Sequence, residues 1–390
     1  MSVFVGVAFA TLSARAEEGE PPLGVDIHGF VSQGYLKTTA NNYLAGSKRG
    51  SPEFSEVGLN FTKSLSERLR VGAQLFARDL GPVGNYRPQF DWYYLDYRFA
   101  DWFGLRAGRT KLPFGLYNEV QDVDAARVPA LLPQAMYPID QRDYLLAQTG
   151  GEAYGRVKLG AAGALEYRAY AGTIFIPIQA TGTPGISVDS IDVPYMYGGR
   201  LMWAPLDGLQ MGGSFQSVRL DAVYSFNKEA SDKYASALPA DFAGKVDLQL
   251  PVKLWVASVE YLARDLLLAA EYGRWVGDIK TNAPGLFPSK RTINERMYAM
   301  ASYHLTPWFT PGAYYSLLYP EAKQRDGRAH FQHDFAVTFR YDLTENWLFK
   351  LEGHVMRGTA ALKSDLNGGV PLDKLTKNWG LLVLKTTAYF

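Results

Sequence analysis

The stretch Glu56–Asp79, EVGLNFTKSLSERLRVGAQLFARD, decides the fold class. Its first segment puts Val57, Leu59 and Phe61 on one side and Glu56, Gly58, Asn60 and Thr62 on the other. After a tight turn at Ser64–Arg68, Val71, Ala73, Leu75 and Ala77 alternate with Arg70, Gly72, Gln74, Phe76 and Arg78. A period of two is that of a strand, whose successive side chains point to opposite faces. Two amphipathic strands of about ten residues joined by a tight turn make a hairpin with one apolar and one polar face, the unit of a transmembrane β-barrel. Asp334–Asp342 repeats the pattern, with Phe335, Val337, Phe339 and Tyr341 against Asp334, Ala336, Thr338, Arg340 and Asp342.

Working outward, connections of two kinds take turns. Short ones fall at Ser64–Arg68, Ala100–Phe103, Gly160–Gly163, Pro205–Gly208, Ala263–Asp265, Thr306–Phe309 and Thr344–Asn346. Long ones, rich in Gly, Pro, Asp, Asn and Lys, fall at Thr39–Phe54, Leu80–Gln89, Leu112–Gln148, Thr173–Pro194, Asp221–Leu250, Gly277–Thr292, Glu321–His330 and Gly358–Thr376. The alternation predicts an all-β, antiparallel barrel of about sixteen strands, with short periplasmic turns and long outer loops. No apolar run approaches the roughly 18 residues of a membrane helix, and in lipid only helices and closed barrels satisfy every backbone polar group.

Composition narrows the function. The 390 residues include 20% charged residues at a net charge of +1 and no cysteine. Such a balance gives no electrostatic case for nucleic acid, and the missing thiols remove disulfides and thiolate metal sites. Val3–Ser13 is apolar and is followed by Ala14-Arg15-Ala16 and an acidic run from Glu17 to Glu20. That pattern predicts a secretory signal over residues 1–16, a short segment over 17–24 and one barrel domain over 25–390. No basic residue precedes the apolar stretch, which fits a translation start upstream of Met1. All eight tryptophans lie near expected strand ends: Trp102, Trp203, Trp308 and Trp347 at short turns, and Trp92, Trp255, Trp275 and Trp379 at long loops. Two interfacial girdles are the expectation. In the last strand Gly380, Leu382, Leu384, Ala388 and Phe390 share a face, with Lys385 opposite.

The longest connection follows the fifth expected strand. Leu105–Pro138 reads LRAGRTKLPFGLYNEVQDVDAARVPALLPQAMYP, too apolar for a disordered segment and charged enough to meet water. Gly108-Arg109, Lys111-Leu112-Pro113-Phe114-Gly115, Tyr117-Asn118-Glu119, Asp122 and Leu132-Pro133-Gln134 resemble a segment of Gram-negative outer-membrane porins, the group that includes the phosphate-selective porins O and P. The motif covers under a tenth of the chain. The resemblance implies a homotrimer of sixteen-stranded barrels in an outer membrane containing lipopolysaccharide, with the third loop folded into the lumen. The lysine-rich constriction of the phosphate porins has no counterpart here. Glu119, Asp122, Asp124 and Arg127 occupy the loop instead, so phosphate selectivity does not carry over.

Arg70, Arg78, Arg98, Arg106, Arg168 and Arg200 fall on the polar side of their strands, as do Arg156, Arg296, Arg340, Glu166, Glu260, Glu271 and Glu352. A charge facing lipid at mid-depth costs about 2–4 kcal/mol, so these side chains are expected inside, as pore wall or as internal bracing. Enzyme signals are weak, and neither a cofactor nor a metal is expected. His330, His333 and Asp334 form a poor metal candidate, and His354 is the residue on which a rival reading as an outer-membrane hydrolase would turn. The favoured function is passive diffusion of small hydrophilic solutes or ions; the alternative is a channel specific for phosphate, sugar or carboxylate. A closed barrel unfolds only when many ladder bonds break together. Unboiled protein should therefore migrate faster than boiled protein on detergent gels, and identical mobility would argue against a barrel.

Overall fold

The computed structural model describes residues 24–176 and 185–390. The expected signal segment, 1–16, lies outside these residues. The wall is built from sixteen strands: β1 (Asp26–Thr38), β2 (Ser55–Ser64), β3 (Leu69–Asp79), β4 (Gln89–Ala100), β5 (Phe103–Lys111), β6 (Ala147–Lys158), β7 (Ala164–Thr173), β8 (Ile186–Leu206), β9 (Leu209–Phe226), β10 (Lys245–Ala263), β11 (Leu266–Asp278), β12 (Arg291–Tyr303), β13 (Phe309–Tyr319), β14 (Gln332–Thr344), β15 (Trp347–Gly358) and β16 (Asn378–Tyr389). Each pairs antiparallel with its neighbours in sequence, and a two-residue strand, Lys280–Thr281, lengthens the wall beside the outer part of β10.

The sheet closes where β1 meets β16, with Phe30 opposite Tyr389 and Thr38 opposite Leu381. The last pairing is reciprocal: the Gly29 N–H donates to the Phe390 carbonyl and the Phe390 N–H to the Gly29 carbonyl, both at 3.0 Å. No strand edge is left over, as a hydrocarbon environment requires. The expected alternation of short turns and long loops holds throughout. β8, β9 and β10, at 21, 18 and 19 residues, run beyond the roughly ten-residue expectation and carry the wall outward at the long-loop end.

The two faces follow the pattern read from the sequence. Val57, Leu75 and Phe335 are exposed on the outside, whereas Glu56, Gln74, Arg78 and Asp334 are buried inside. The girdles need correction. Trp102, Trp203, Trp308 and Trp347 face outward and form a belt at the short turns. At the long-loop end only Trp255 of the expected four is exposed. Trp379 is buried against Tyr43, the guanidinium of Arg296 lies 3.3 Å from the ring centroid of Trp275, and Trp92 donates to Gln74. Trp275 and Trp379 share the parity of inward residues Glu271 and Lys385, and strand alternation overrides the interfacial preference. Trp92 likewise shares the parity of inward Asp96 and lies opposite inward Gln74; the bulge just beyond it, where the register slips between Gln74 and Leu75, turns Asp91 inward as well.

Arginine in place of Leu75 should cost about 2–4 kcal/mol at mid-membrane. Folding yield into vesicles, scored by the gel shift, should fall well below that of the parent. Parental yield for L75R would mean that β3 is one residue out of register.

Candidate functional site

The connection from β5 to β6, residues 112–146, crosses the interior and touches the wall on nearly every side. It leaves β5 through Pro113 and Phe114 into Gly115, whose φ of +64° is left-handed. A Cβ there would lie 2.5 Å from the Tyr137 hydroxyl, so glycine satisfies both the backbone and the close approach. The Gly115 N–H donates to Ser214 on β9 at 2.9 Å, and the Leu116 N–H to Glu271 on β11 at 2.9 Å. Tyr117 donates its hydroxyl to Glu260 on β10 at 2.6 Å, and Tyr137 donates to Glu271.

The loop then swings to the opposite wall. Glu352 on β15 accepts from the consecutive N–H groups of Ala130 and Leu131, at 2.8 and 3.0 Å. Two residues away on the same inner face, Lys350 donates to the carbonyls of Asp124, Arg127 and Pro129, at 2.8, 2.8 and 3.1 Å. Arg78 on β3 donates to the Ile139 carbonyl at 2.6 Å and pairs with Asp143 at 3.0 Å. Arg142 closes the circuit. It makes a bidentate pair with Asp91 on β4, at 2.6 and 2.8 Å, and its guanidinium lies 4.0 Å from the Phe76 ring centroid. Apolar contacts fill between these clamps. Phe114, Tyr117, Leu132 and Met136 pack on the inner wall around Tyr298 and Tyr314. Ala130, Leu131 and Ile139 pack with Leu36, Phe54 and Val383.

The four loop residues singled out in the sequence occupy three settings. Glu119 lies between Arg168 on β7 and Arg200 on β8, at 2.7 and 3.0 Å, with its side chain 20% exposed. Asp122 pairs with Lys111 at 2.6 Å and with Arg142 at 3.4 Å and accepts from Gln74, and its side chain is buried. Asp124 pairs with Arg127 at 2.6 Å and with Lys385 on β16 at 2.7 Å. Asp124 and Arg127 are both buried, so this part of the loop braces the wall. Burial pushes the Glu119 carboxyl up, but Arg168 and Arg200 outweigh it and hold the group at about 2. For Asp122 the same contest, with Lys111 and Arg142 prevailing over burial, leaves the carboxyl well below the usual range.

Of the arginines expected in the wall, Arg70, Arg106, Arg168 and Arg200 gather on the inner face from β3 to β8. Arg70 and Arg106 reach Asp96 at 3.4 and 3.2 Å, and Arg168 also binds Glu152 on β6. Arg98 departs from the expectation. It pairs with Asp101 at 2.7 Å, well exposed at a short turn, because two residues before the turn its side chain reaches bulk water instead of the lumen. The cationic partners of Glu119, Asp122 and Asp124 lie on β5, β7, β8, β15 and β16 and in the loop itself. Lys350, Lys385, Asp91, Asp96, Arg142 and Glu152 were missed in the sequence. The signal for Lys350 and Lys385 was parity, since both share the inner face of a clearly alternating strand.

The rival chemistry finds little support in the geometry. His354 is buried with Nδ1 2.9 Å from Asp334 and Nε2 3.0 Å from Glu352, so both ring nitrogens are taken by carboxylates. Strand alternation sends His333 outward and Asp334 inward, which splits the candidate metal set. No cluster of three or more potential ligands occurs among the described residues.

The described residues form a closed sixteen-stranded antiparallel barrel. Three solved structures similar to this chain share that fold. The anion-selective porin of Comamonas acidovorans matches with a TM-score of 0.57 at 13% identity, over 94% of this chain and 99% of that one. OmpF of Salmonella typhi, in complex with daunomycin, gives 0.56 at 12% identity over 94% and 97%. The trimer form of OmpT, an outer membrane protein of Vibrio cholerae, gives 0.56 at 10% identity over 94% and 99%. No protein-family model matches the chain, and no curated protein does.

The depressed carboxyls set the pH range of loop docking. A group whose folded pKa lies below its free value contributes stability that is full above the free value and is lost as pH falls through the folded one. For Glu119 the window runs from about 4.5 down to about 2, and Asp122 is depressed in the same direction. Pepsin should leave residues 112–146 uncut at pH 4.5 and cut them as the pH approaches 2. Equal cutting across that range would mean that these pairs do not hold the loop.

Proposed function

We propose that the chain is an outer-membrane porin of a Gram-negative bacterium, passing small hydrophilic solutes or ions passively through the barrel. The observation that carries this reading is the coincidence of an apolar outer wall, a charged inner face and a loop fastened across the interior. Residues 112–146 form the constriction, with Glu119, Asp122, Asp124 and Arg127 on the loop and Arg70, Arg78, Arg106, Arg168 and Arg200 on the wall. The assembly is a homotrimer set among outer-membrane lipid and lipopolysaccharide, delivered by the signal over residues 1–16. The motif at 108–134 supports kinship with the group that includes the porins O and P. No catalytic step is part of this reading.

Charge balance favours a general pore over a phosphate-specific one. Around Glu119 the cations Arg70, Arg106, Arg168 and Arg200 form one ion-pair network with the carboxylates Asp96, Glu119, Glu152 and Glu166, and the charges of that network balance. A site that concentrates phosphate needs an excess of cations, whereas a balanced pair of opposed charges orients dipolar solutes without strong preference for one sign. Removing loop acids should expose the arginines. In planar bilayers the double variant Glu119→Gln with Asp122→Asn should move the reversal potential across a salt gradient towards anion preference and change the conductance. Normal assembly with unchanged potential and conductance would place the loop outside the conduction path.

A further inference from the structure

The inner face of β3 to β6, on the short-turn side of the loop, carries a platform of aromatic rings. Trp92 and Tyr94 point inward from β4 and stack, with centroids 5.4 Å apart and planes 15° from parallel. They lie over Gly72 of β3, where a Cβ would sit 3.0 Å from Tyr94 Cζ and 3.1 Å from Trp92 Cζ3. Tyr154 of β6 covers Gly104 of β5 in the same way, and its hydroxyl donates to Asp96 at 2.6 Å. Glycine beneath the rings lets them lie flat on the wall, and all three remain partly exposed. Covering a glycine stabilises a sheet by itself. What distinguishes this patch is the cations placed with the rings.

The Arg106 guanidinium lies 4.8 Å from the Tyr94 centroid and 5.1 Å from that of Tyr154, and the Arg70 guanidinium lies 5.7 Å from Tyr94. Both belong to one chain of ion pairs that alternates in sign: Arg70, Asp96, Arg106, Glu152, Arg168, Glu119, Arg200, Glu166. Each inner member meets two opposite charges and is mostly covered. The ends meet one each and are open, Arg70 at 39% and Glu166 at 46% side-chain exposure. Arg70 makes a single hydrogen bond, to Asp96 at 3.4 Å, and its other N–H donors have no protein partner among the described residues. Because the chain is balanced, Arg70 draws an anion through those free donors and not through excess charge. A simple anion gains only that contact, whereas a carboxylate on a planar ring also covers Tyr94 and Trp92. Glu166 stands four strands away, about 19 Å along the wall at about 4.8 Å per strand, beyond the reach of a small solute held at Arg70.

We propose that this patch is a subsite for small aromatic monocarboxylates, which rests on the porin reading and gives that pore a solute class. The carboxylate takes the open edge of Arg70, whose planar fork matches two carboxylate oxygens. The ring stacks on Tyr94 and Trp92. Asp96 fixes Arg70 and Arg106 and is itself neutralised by both. The patch follows the constriction directly: Gln74, which donates to Asp122 of the loop, is four residues from Arg70 on β3, about 13 Å along the strand.

The test measures block of the potassium chloride current through the full chain in planar bilayers. The probes are benzoate, cyclohexanecarboxylate, which has the charge without the planar ring, and benzyl alcohol, which has the ring without the charge. In the parent, half-block by benzoate should need about fivefold less than cyclohexanecarboxylate, from ring stacking, and about tenfold less than benzyl alcohol, from the charged hydrogen bonds. Tyr94→Leu should abolish the first ratio and Arg70→Gln the second, with the heat-dependent gel shift reporting assembly of each variant. Equal block by the two acids in the parent overturns the proposal whether or not the variants fold. So does benzoate block that survives unchanged in either assembled variant. A folded parent that carries no current would instead overturn the porin reading, so the two failures are distinguishable.

Discussion

Every backbone N–H and C=O of a wall in hydrocarbon must find a partner within the wall, and this constraint orders the molecule. It forces β1 onto β16, and the pairing of Gly29 with Phe390 is the last bond of that closure. It makes neighbours in sequence neighbours in space and so fixes the alternation of turn and loop. It also divides the side chains. One face of each strand must suit lipid, and the charges of a chain that is one-fifth Asp, Glu, Lys and Arg are sent to the other.

Collecting those charges inside creates a second problem, which the loop at 112–146 resolves. Lysines and arginines on the inner wall of a narrow barrel repel one another unless counter-charges or carbonyls reach them. Lys350 and Lys385 are fully buried, out of reach of bulk water. Loop carbonyls satisfy the first, and Asp124 with Glu56 satisfies the second. Removing one member of a buried pair costs about 3–5 kcal/mol, because its partner is left charged and dry. The loop and the wall are therefore mutually dependent: each carries the charges the other needs.

Most of the fold was legible because its signals are local. A period of two over ten residues, a turn, and another ten residues specify a hairpin without knowledge of the rest, and the end pairing follows from counting. Which charge meets which was not legible, because it depends on which strands face each other across the lumen. Asp124 illustrates this. Its partners Lys350 and Lys385 lie 226 and 261 residues away, and nothing in the loop's own composition points to them. The tryptophans show a different failure, a conflict between two valid rules. Interfacial preference drew Trp275 and Trp379 outward, while parity with Glu271 and Lys385 drew them inward. Parity prevailed because a strand cannot reverse one side chain without a bulge, and the one bulge on β4 reversed Asp91, leaving Trp92 in step with inward Asp96.

The same geometry ranks the loop charges by their influence on a passing solute. Charges screened by water act over roughly 8 Å at physiological salt, and a charge held in a buried pair presents little net field beyond it. Asp122 and Asp124 are almost wholly covered, each against at least two cations. Glu119 keeps a fifth of its side chain open, and Glu166, which meets the same Arg200, keeps nearly half. In the proposed channel the water-facing charges near the loop are then Glu119 and Glu166 with the arginines between them, while Asp124 and Arg127 set where the loop lies. Positioning and selectivity fall to different carboxylates of one loop. That division follows from burial, since a charge must be dry to fix a loop firmly and wet to be felt by an ion.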